Sequence, residues 1–325
     1  MKNKNIIVVA GEPYSVFLEL IFKSIKSKKI KKPFLLICSK KLLIAQMKKL
    51  KFKIKINEVN KKKIKSIVLP KRCINILDVK FNFKKAFDKI NNNSSKYIEN
   101  CFEEAFELIK IGAGNILING PVSKKHFLKK KFLGITEYVA KKSNKKGHEV
   151  MFIYNRKLSV SPITTHLSLE DVKKNLSTKK IIQNVLTINS FFNRKFKKKT
   201  KFAITGLNPH CETNKKFSEE DKIILPAIKK LKKKNINIKG PFAADTLFLK
   251  KNIKKFNVVI GMYHDQVLTP IKTLYGFNAI NITLGLPFLR MTPDHGPNNS
   301  MLGKNKSNPI SLIETFKFLS QIREN

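Results

Sequence analysis

Short apolar runs alternate along this chain with longer amphipathic stretches, and that alternation restricts the fold more than any other feature. The runs at 6–10, 34–38, 74–77, 115–118, 150–154, 202–205, 258–260 and 280–284 have strand length and are rich in Ile, Val, Leu and Phe. Stretches at 96–111, 179–192, 219–233 and 309–321 carry apolar residues at helical spacing instead. Strands interleaved with helices predict parallel βαβ units, hence an α/β fold. No internal repeat is visible. Lys-rich stretches at 61–65, 129–131 and 197–201 read as exposed turns or helix ends, too short to be disordered linkers. The 325 residues suffice for one large domain or two lobes, and any lobes are expected to be interwoven rather than strung out.

Charge is the next constraint. Lys and Arg total 67 against 22 acids, a net charge of +45, which raises the question of a nucleic-acid or membrane partner. The excess is almost all lysine and is spread along the whole chain. Arginine, the usual bidentate reader of guanine, occurs only at Arg72, Arg156, Arg194, Arg290 and Arg323. The expectation is therefore a solvated lysine-rich surface with no specific nucleic acid. Four separated cysteines, Cys38, Cys73, Cys101 and Cys211, have no C-x-x-C spacing and fit a reduced cytoplasmic setting. No apolar run approaches membrane-span length, and the start MKNKNIIVVAGEP is too short in its apolar part for a signal peptide.

Rare polar residues cluster at 263–296, YHDQVLTPIKTLYGFNAINITLGLPFLRMTPDHG. The segment reads as a loop with His264 and Asp265, a short helix, a strand, then a loop with Arg290, Asp294 and His295. Groups at strand ends are where open α/β sheets place their sites. His166, His210 and His264 each follow or flank a predicted strand. Three such loops can converge on one ion, although the spacing alone equally describes ordinary surface histidines. His148 lies in a Lys-rich turn. Lys272 and Arg290 bracket Asn281, a basic pair that suits an anionic substrate. The turns NGPVSK (119–124) and GLNPH (206–210) offer backbone amides after strands. There is no G-x-G-x-x-G: Gly112 and Gly114 precede a strand, not a helix, so no Rossmann dinucleotide site is expected. G-x-S-x-G, P-loop and H-E-x-x-H motifs are also absent, and nothing marks Cys211, beside His210, as an activated thiol.

Taken in order, GEP (11–13), GPVSK (120–124), G-x-TE (134–137), TTHLSLEDV (164–172), GLNPH (206–210), GPFAADTLF (240–248), YHDQ (263–266), NITLGLPFLR (281–290) and DHG (294–296) resemble the 4-hydroxythreonine-4-phosphate dehydrogenase family of pyridoxal phosphate biosynthesis over nearly the whole chain. The resemblance implies two interwoven α/β lobes like those of isocitrate and isopropylmalate dehydrogenases, within one catalytic unit spanning 1–325. Their approximate extents would be 1–128 with 285–325, and 129–284. It implies that His166, His210 and His264 bind a divalent cation of the Zn, Mg or Co class, shared between the subunits of a homodimer. It implies that Thr136, Lys272, Asn281 and Arg290 contact a phosphorylated hydroxy-amino acid, and that NAD or NADP accepts the hydride. Asp265 and Lys124 are the candidates for the base. Two departures stand out. Ile135 precedes Thr136 where the family has histidine, and the family's small residues after GDP become Tyr14, Ser15, Val16 and Phe17. The first keeps open a related dehydrogenase of threonate or erythronate phosphate. Readings from other classes are a non-catalytic polyanion-binding protein and a metal-dependent hydrolase.

Overall fold

The computed structural model describes residues 5–129, 131–212, 218–276, 279–293 and 296–322. Its strands are β1 (Asn5–Val9), β2 (Phe34–Cys38), β3 (Ile56–Glu58), β4 (Ile74–Asp78), β5 (Gly114–Asn119), β6 (Val150–Tyr154), β7 (Ser159–Pro162), β8 (Phe202–Thr205), β9 (Ile238–Phe242), β10 (Val258–Gly261), β11 (Ile280–Leu284) and β12 (Leu289–Pro293). The chain divides into two compact units. Unit 1 runs to Lys146 and resumes over Leu286–Gln321; unit 2 is Gly147–Gly285. Both are α/β, as the alternation of runs predicts.

In unit 1 the strand order is β3-β4-β2-β1-β5-β12, and every pair is parallel. Strands covered on both faces need apolar residues at nearly every position. The sequence FLLIC of β2 is accordingly buried throughout. The helix Ser94–Lys110 lays Tyr97, Ile98, Cys101, Phe102, Ala105 and Leu108 into the same core as Ile7, Leu35 and Leu117. The order reverses between β1 and β5, the kind of switch point at which open α/β sheets form a crevice. Residues 11–13 and 120–124 leave these two strands side by side, with Glu12 N–H donating to Pro121 O at 2.9 Å and Gly120 N–H to Val9 O at 2.8 Å. A Cβ at Gly120 would lie 2.2 Å from Ala10 O and 2.7 Å from Phe17, so only glycine fits. Tyr14, Val16 and Phe17, which replace small residues of the family, are buried core side chains.

Residues 129–146 belong to unit 1, not to the second lobe to which the sequence reading gave them. The reason is packing. Tyr138 and Val139 of the helix Ile135–Lys142 join the unit 1 core, and Tyr138 stacks edge-on against Phe102, Phe127 and Phe132.

In unit 2 the order is β11-β6-β7-β10-β8-β9. Strands β11, β6 and β7 pair antiparallel; β7, β10, β8 and β9 pair parallel. Val160, Ala203, Val259, Val267 and Ile271 form its core. Two loops expected from sequence are regular structure. Arg290 lies within β12, and His264 and Asp265 open the helix His264–Tyr275. Asp294 and His295 lie outside the described residues. The four cysteines are free, and no helix among the described residues is long and apolar enough to cross a membrane.

Candidate active site

Three neighbouring parallel strands of unit 2 end level with one another. Gly261 of β10 is opposite Pro162 of β7, and Ile260 is opposite Ile204 of β8. The chain leaving β7 passes through Ile163–Thr165 to His166. The chain leaving β10 passes through Met262 and Tyr263 to His264, and that leaving β8 reaches His210 through Gly206–Pro209. All three histidines therefore emerge at the carboxyl edge of adjacent strands, the location the sheet geometry favours for chemistry.

The rings of His166 and His264 come together, with centroids 5.8 Å apart. His264 Nδ1 lies 2.6 Å from Asp265 Oδ1. A carboxylate on one ring nitrogen fixes the tautomer and turns the other, Nε2, into a ligand. His210 is exposed, and both it and Cys211 are in the left-handed region, at φ 54° and 63°. Such backbone is costly for residues with a Cβ and is held by its surroundings. The holding group is Glu220, a buried carboxylate whose Oε1 accepts from Leu207 N (2.8 Å) and Asn208 N (2.9 Å) and whose Oε2 accepts from Asn208 Nδ2 (2.9 Å). Burial pushes the Glu220 carboxyl up, but the bonds from Asn208 and Leu207 outweigh it and keep it below the ordinary value. Its neighbour Glu219 is held at about 2 by Lys173 and Asn208. The Cys211 thiol is raised, chiefly by burial, which is the opposite of an activated nucleophile. Among the described residues no group of three His, Cys, Asp or Glu side chains is arranged to hold an ion. Within one chain, then, His166 and His264 pair, with His210 on its own turn. Imidazole pairs backed by a carboxylate suit zinc-class ions, so the donor set fits a divalent metal.

Lys272 is exposed on the helix that begins at His264. Asn281 is half-buried in β11, and its Oδ1 has no hydrogen-bond partner among the described residues. His126 and His148 take no part in the site, bonding Asn92 and Gln183 respectively.

The other anion-binding candidates lie in unit 1. Arg290 is 0 % exposed. Its Nε donates to Asn119 Oδ1 at 2.8 Å and its Nη1 to Thr136 Oγ1 at 2.9 Å. Burial brings the guanidinium down to about 10, with Glu137 favouring the charged form, so it stays charged at neutral pH. Thr136, 7 % exposed, stands in the first turn of Ile135–Lys142. Ile135 packs partly buried against the aromatic core of unit 1. Lys124 begins a short π-helical turn whose N-cap, Ser123, accepts from His126 N–H.

Sequence reasoning missed the supporting groups: Asn119, which holds Arg290; Glu220, which holds the His210 turn; and Thr164 and Gln266, which bond strand ends to one another. Each except Glu220 falls inside a motif quoted from the sequence or directly beside one, and that proximity was the available signal.

A family model described as "Pyridoxal phosphate biosynthetic protein PdxA" matches residues 29–319. A 4-hydroxythreonine-4-phosphate dehydrogenase of Sulfurihydrogenibium sp. (strain YO3AOP1) is 36% identical over 94% of this chain and 94% of its own. The crystal structure of a 4-hydroxythreonine-4-phosphate dehydrogenase from Klebsiella pneumoniae shares the fold, with a TM-score of 0.82 at 24% identity, covering 98% of this chain and 99% of that one. Isocitrate dehydrogenase from Methylococcus capsulatus superposes at a TM-score of 0.52 and 7% identity, over 98% of this chain and 85% of that one, which bears out the expected fold class.

Proposed function

The chain belongs to the PdxA family of pyridoxal phosphate biosynthetic proteins, and from that premise we propose that it is a 4-hydroxythreonine-4-phosphate dehydrogenase. The substrate 4-phosphooxy-L-threonine gives a hydride from its secondary carbinol carbon to NAD+ or NADP+ and a proton from the hydroxyl. The resulting β-keto acid loses carbon dioxide to leave 3-amino-2-oxopropyl phosphate. The observation that carries this reading is the delivery of His166, His264 and His210 from the ends of three adjacent parallel strands, with the first two rings 5.8 Å apart. These histidines would hold a divalent cation, which when bound supplies a Lewis acid for the hydroxyl and for the electron pair released as carbon dioxide departs.

The remaining roles follow from the side chains. Asp265 orients His264, which gives it a positioning task and leaves Lys124 as the other candidate for the base. Lys272 and Asn281 serve as polar contacts to the anionic substrate. Arg290 acts through Thr136: because Thr136 Oγ1 accepts from Arg290, its own O–H is left to donate to a phosphate or carboxylate. The reading includes a homodimer, in which a ligand from a second copy joins a pair formed within one chain.

The test is purified protein with 4-phosphooxy-L-threonine, a divalent ion and NAD+ or NADP+, followed at the absorbance of the reduced nicotinamide. Turnover should vanish with chelator and return with added ion. His264→Ala should lower kcat/KM about a thousandfold or more, a loss of several kcal/mol of charge stabilisation. Indifference to chelator, or full activity in His264→Ala, refutes the metal role. The apolar packing of Ile135 favours a second substrate class, threonate or erythronate phosphate. Reduction of the nicotinamide with those compounds alone would move the assignment to them, and product formed without nicotinamide would make the protein a hydrolase.

A further inference from the structure

The three histidine segments are joined by hydrogen bonds that meet at one side chain. Gln266 Oε1 accepts from Met262 N–H at 2.7 Å and from Thr205 Oγ1 at 2.8 Å, while Nε2 donates to Gly206 O at 2.8 Å. Thr205 ends β8 and Gly206 starts the turn to His210. Met262 follows β10 and leads to His264. On its other side Met262 is held by Thr164, whose N–H and Oγ1 both donate to Met262 O, at 3.1 and 2.8 Å. Thr164 in turn leads to His166. A continuous path therefore runs from the His166 segment through Met262 and Gln266 to the His210 segment, with His264 in between.

The path needs an amide. Gln266 presents two donors' worth of acceptor on one side and a donor on the other. Glutamate would turn an acceptor oxygen towards the Gly206 carbonyl, and methionine would answer none of the three groups. The helix turn also presses close on the strand end. A Cβ at Gly261 would lie 2.4 Å from Val267 Cγ1 and 3.2 Å from Gln266 Oε1, so glycine is required there for the amide to reach.

We propose that Gln266 is a positioning residue of the divalent-ion site: its amide fixes the ends of β8 and β10 against each other and so sets where His264 and His210 stand. This rests on the metal reading above. Partners that orient metal ligands typically change metal affinity by about 10- to 100-fold when removed. A merely structural staple would change folding stability and leave the affinity of the folded protein alone.

The test is direct titration of the metal-free full-length protein with Co2+, read by its visible absorption, with thermal melting recorded in parallel. Gln266→Met should weaken Co2+ binding about 10- to 100-fold and alter the Co2+ spectrum in protein that is still folded. Thr205→Val, which removes one of the two donors to Gln266 Oε1, should weaken binding in the same direction, and Thr205→Ser, which keeps the hydroxyl, should restore it. An unchanged Co2+ dissociation constant in folded Gln266→Met overturns the proposal. Should that variant not fold, an unchanged constant in Thr205→Val overturns it equally. A wild-type protein that binds no Co2+ refutes the metal reading itself, and this proposal with it, before any variant is compared.

Discussion

Replacing Glu12 by glutamine should change how the stability of the protein depends on pH. Glu12 follows β1 at the switch point of unit 1 and is 2 % exposed. Ser94 Oγ donates to its Oε2 at 3.2 Å, and its Oε1 has no hydrogen-bond partner among the described residues. Burial strips water from the carboxylate and raises its pKa from 4.5 to about 7; the bonds from Ser94 and the Tyr14 backbone oppose this without cancelling it. The folded value thus lies above the unfolded one, so the folded chain holds the proton more tightly. The associated stability is fully present below pH 4.5 and is lost as pH rises through about 7. At 1.36 kcal/mol per pKa unit, the span corresponds to roughly 3 kcal/mol. Glu12→Gln keeps the shape and an acceptor for Ser94 but cannot ionise. Urea unfolding of both proteins, followed by circular dichroism at about pH 4.5 and pH 8, measures the difference. Relative to wild type, the variant should gain roughly 3 kcal/mol between the two pH values. Parallel pH profiles would refute the reasoning, because they would mean that Glu12 ionises at its ordinary value, in contact with water.

Arg290→Lys keeps the charge but cannot reproduce a planar fork that reaches both Asn119 and Thr136. Loss of one such charged hydrogen bond should cost about 1.5–3 kcal/mol, seen as a lower urea midpoint, and should raise KM through the displaced Thr136; an unchanged midpoint would contradict the buried pairing. Ile135→His supplies a donor that isoleucine lacks, so KM for 4-phosphooxy-L-threonine should fall about 10- to 100-fold with little change in kcat. If KM stays where it is, the threonate or erythronate phosphate reading gains.

The strands that could be read from the sequence are those buried on both faces, because they are written as unbroken apolar runs: β2 (FLLIC), β6 (VMFIY) and β8 (FAIT). The missed strands, β3, β7, β9 and β12, are short and contain Pro, Gly, Lys, Arg or Asn. Tertiary pairing, not local propensity, makes them strands. The helix at His264 was read as a loop for a related reason. Its N-cap is Tyr263, which makes no capping hydrogen bond, and Pro270 interrupts its interior. The histidines were legible as candidates because they are rare and follow strands, whereas their arrangement depends on which strands are neighbours, a property of the whole sheet. Arg290 shows most clearly where residue-by-residue reading stops. In LRMTP an arginine between polar and proline residues suggests an exposed loop. Its position opposite Leu117 in β5 instead places it beside Asn119, and the helix Ile135–Lys142 brings Thr136 and Glu137 to the same guanidinium. Those partners come from positions more than 150 residues away in the chain. A buried charge is tolerable only when such partners are assembled around it, so no local pattern announces it. The same assembly makes Arg290 a support for Thr136 in this conformation, and a substrate would meet the threonine hydroxyl before it met the arginine.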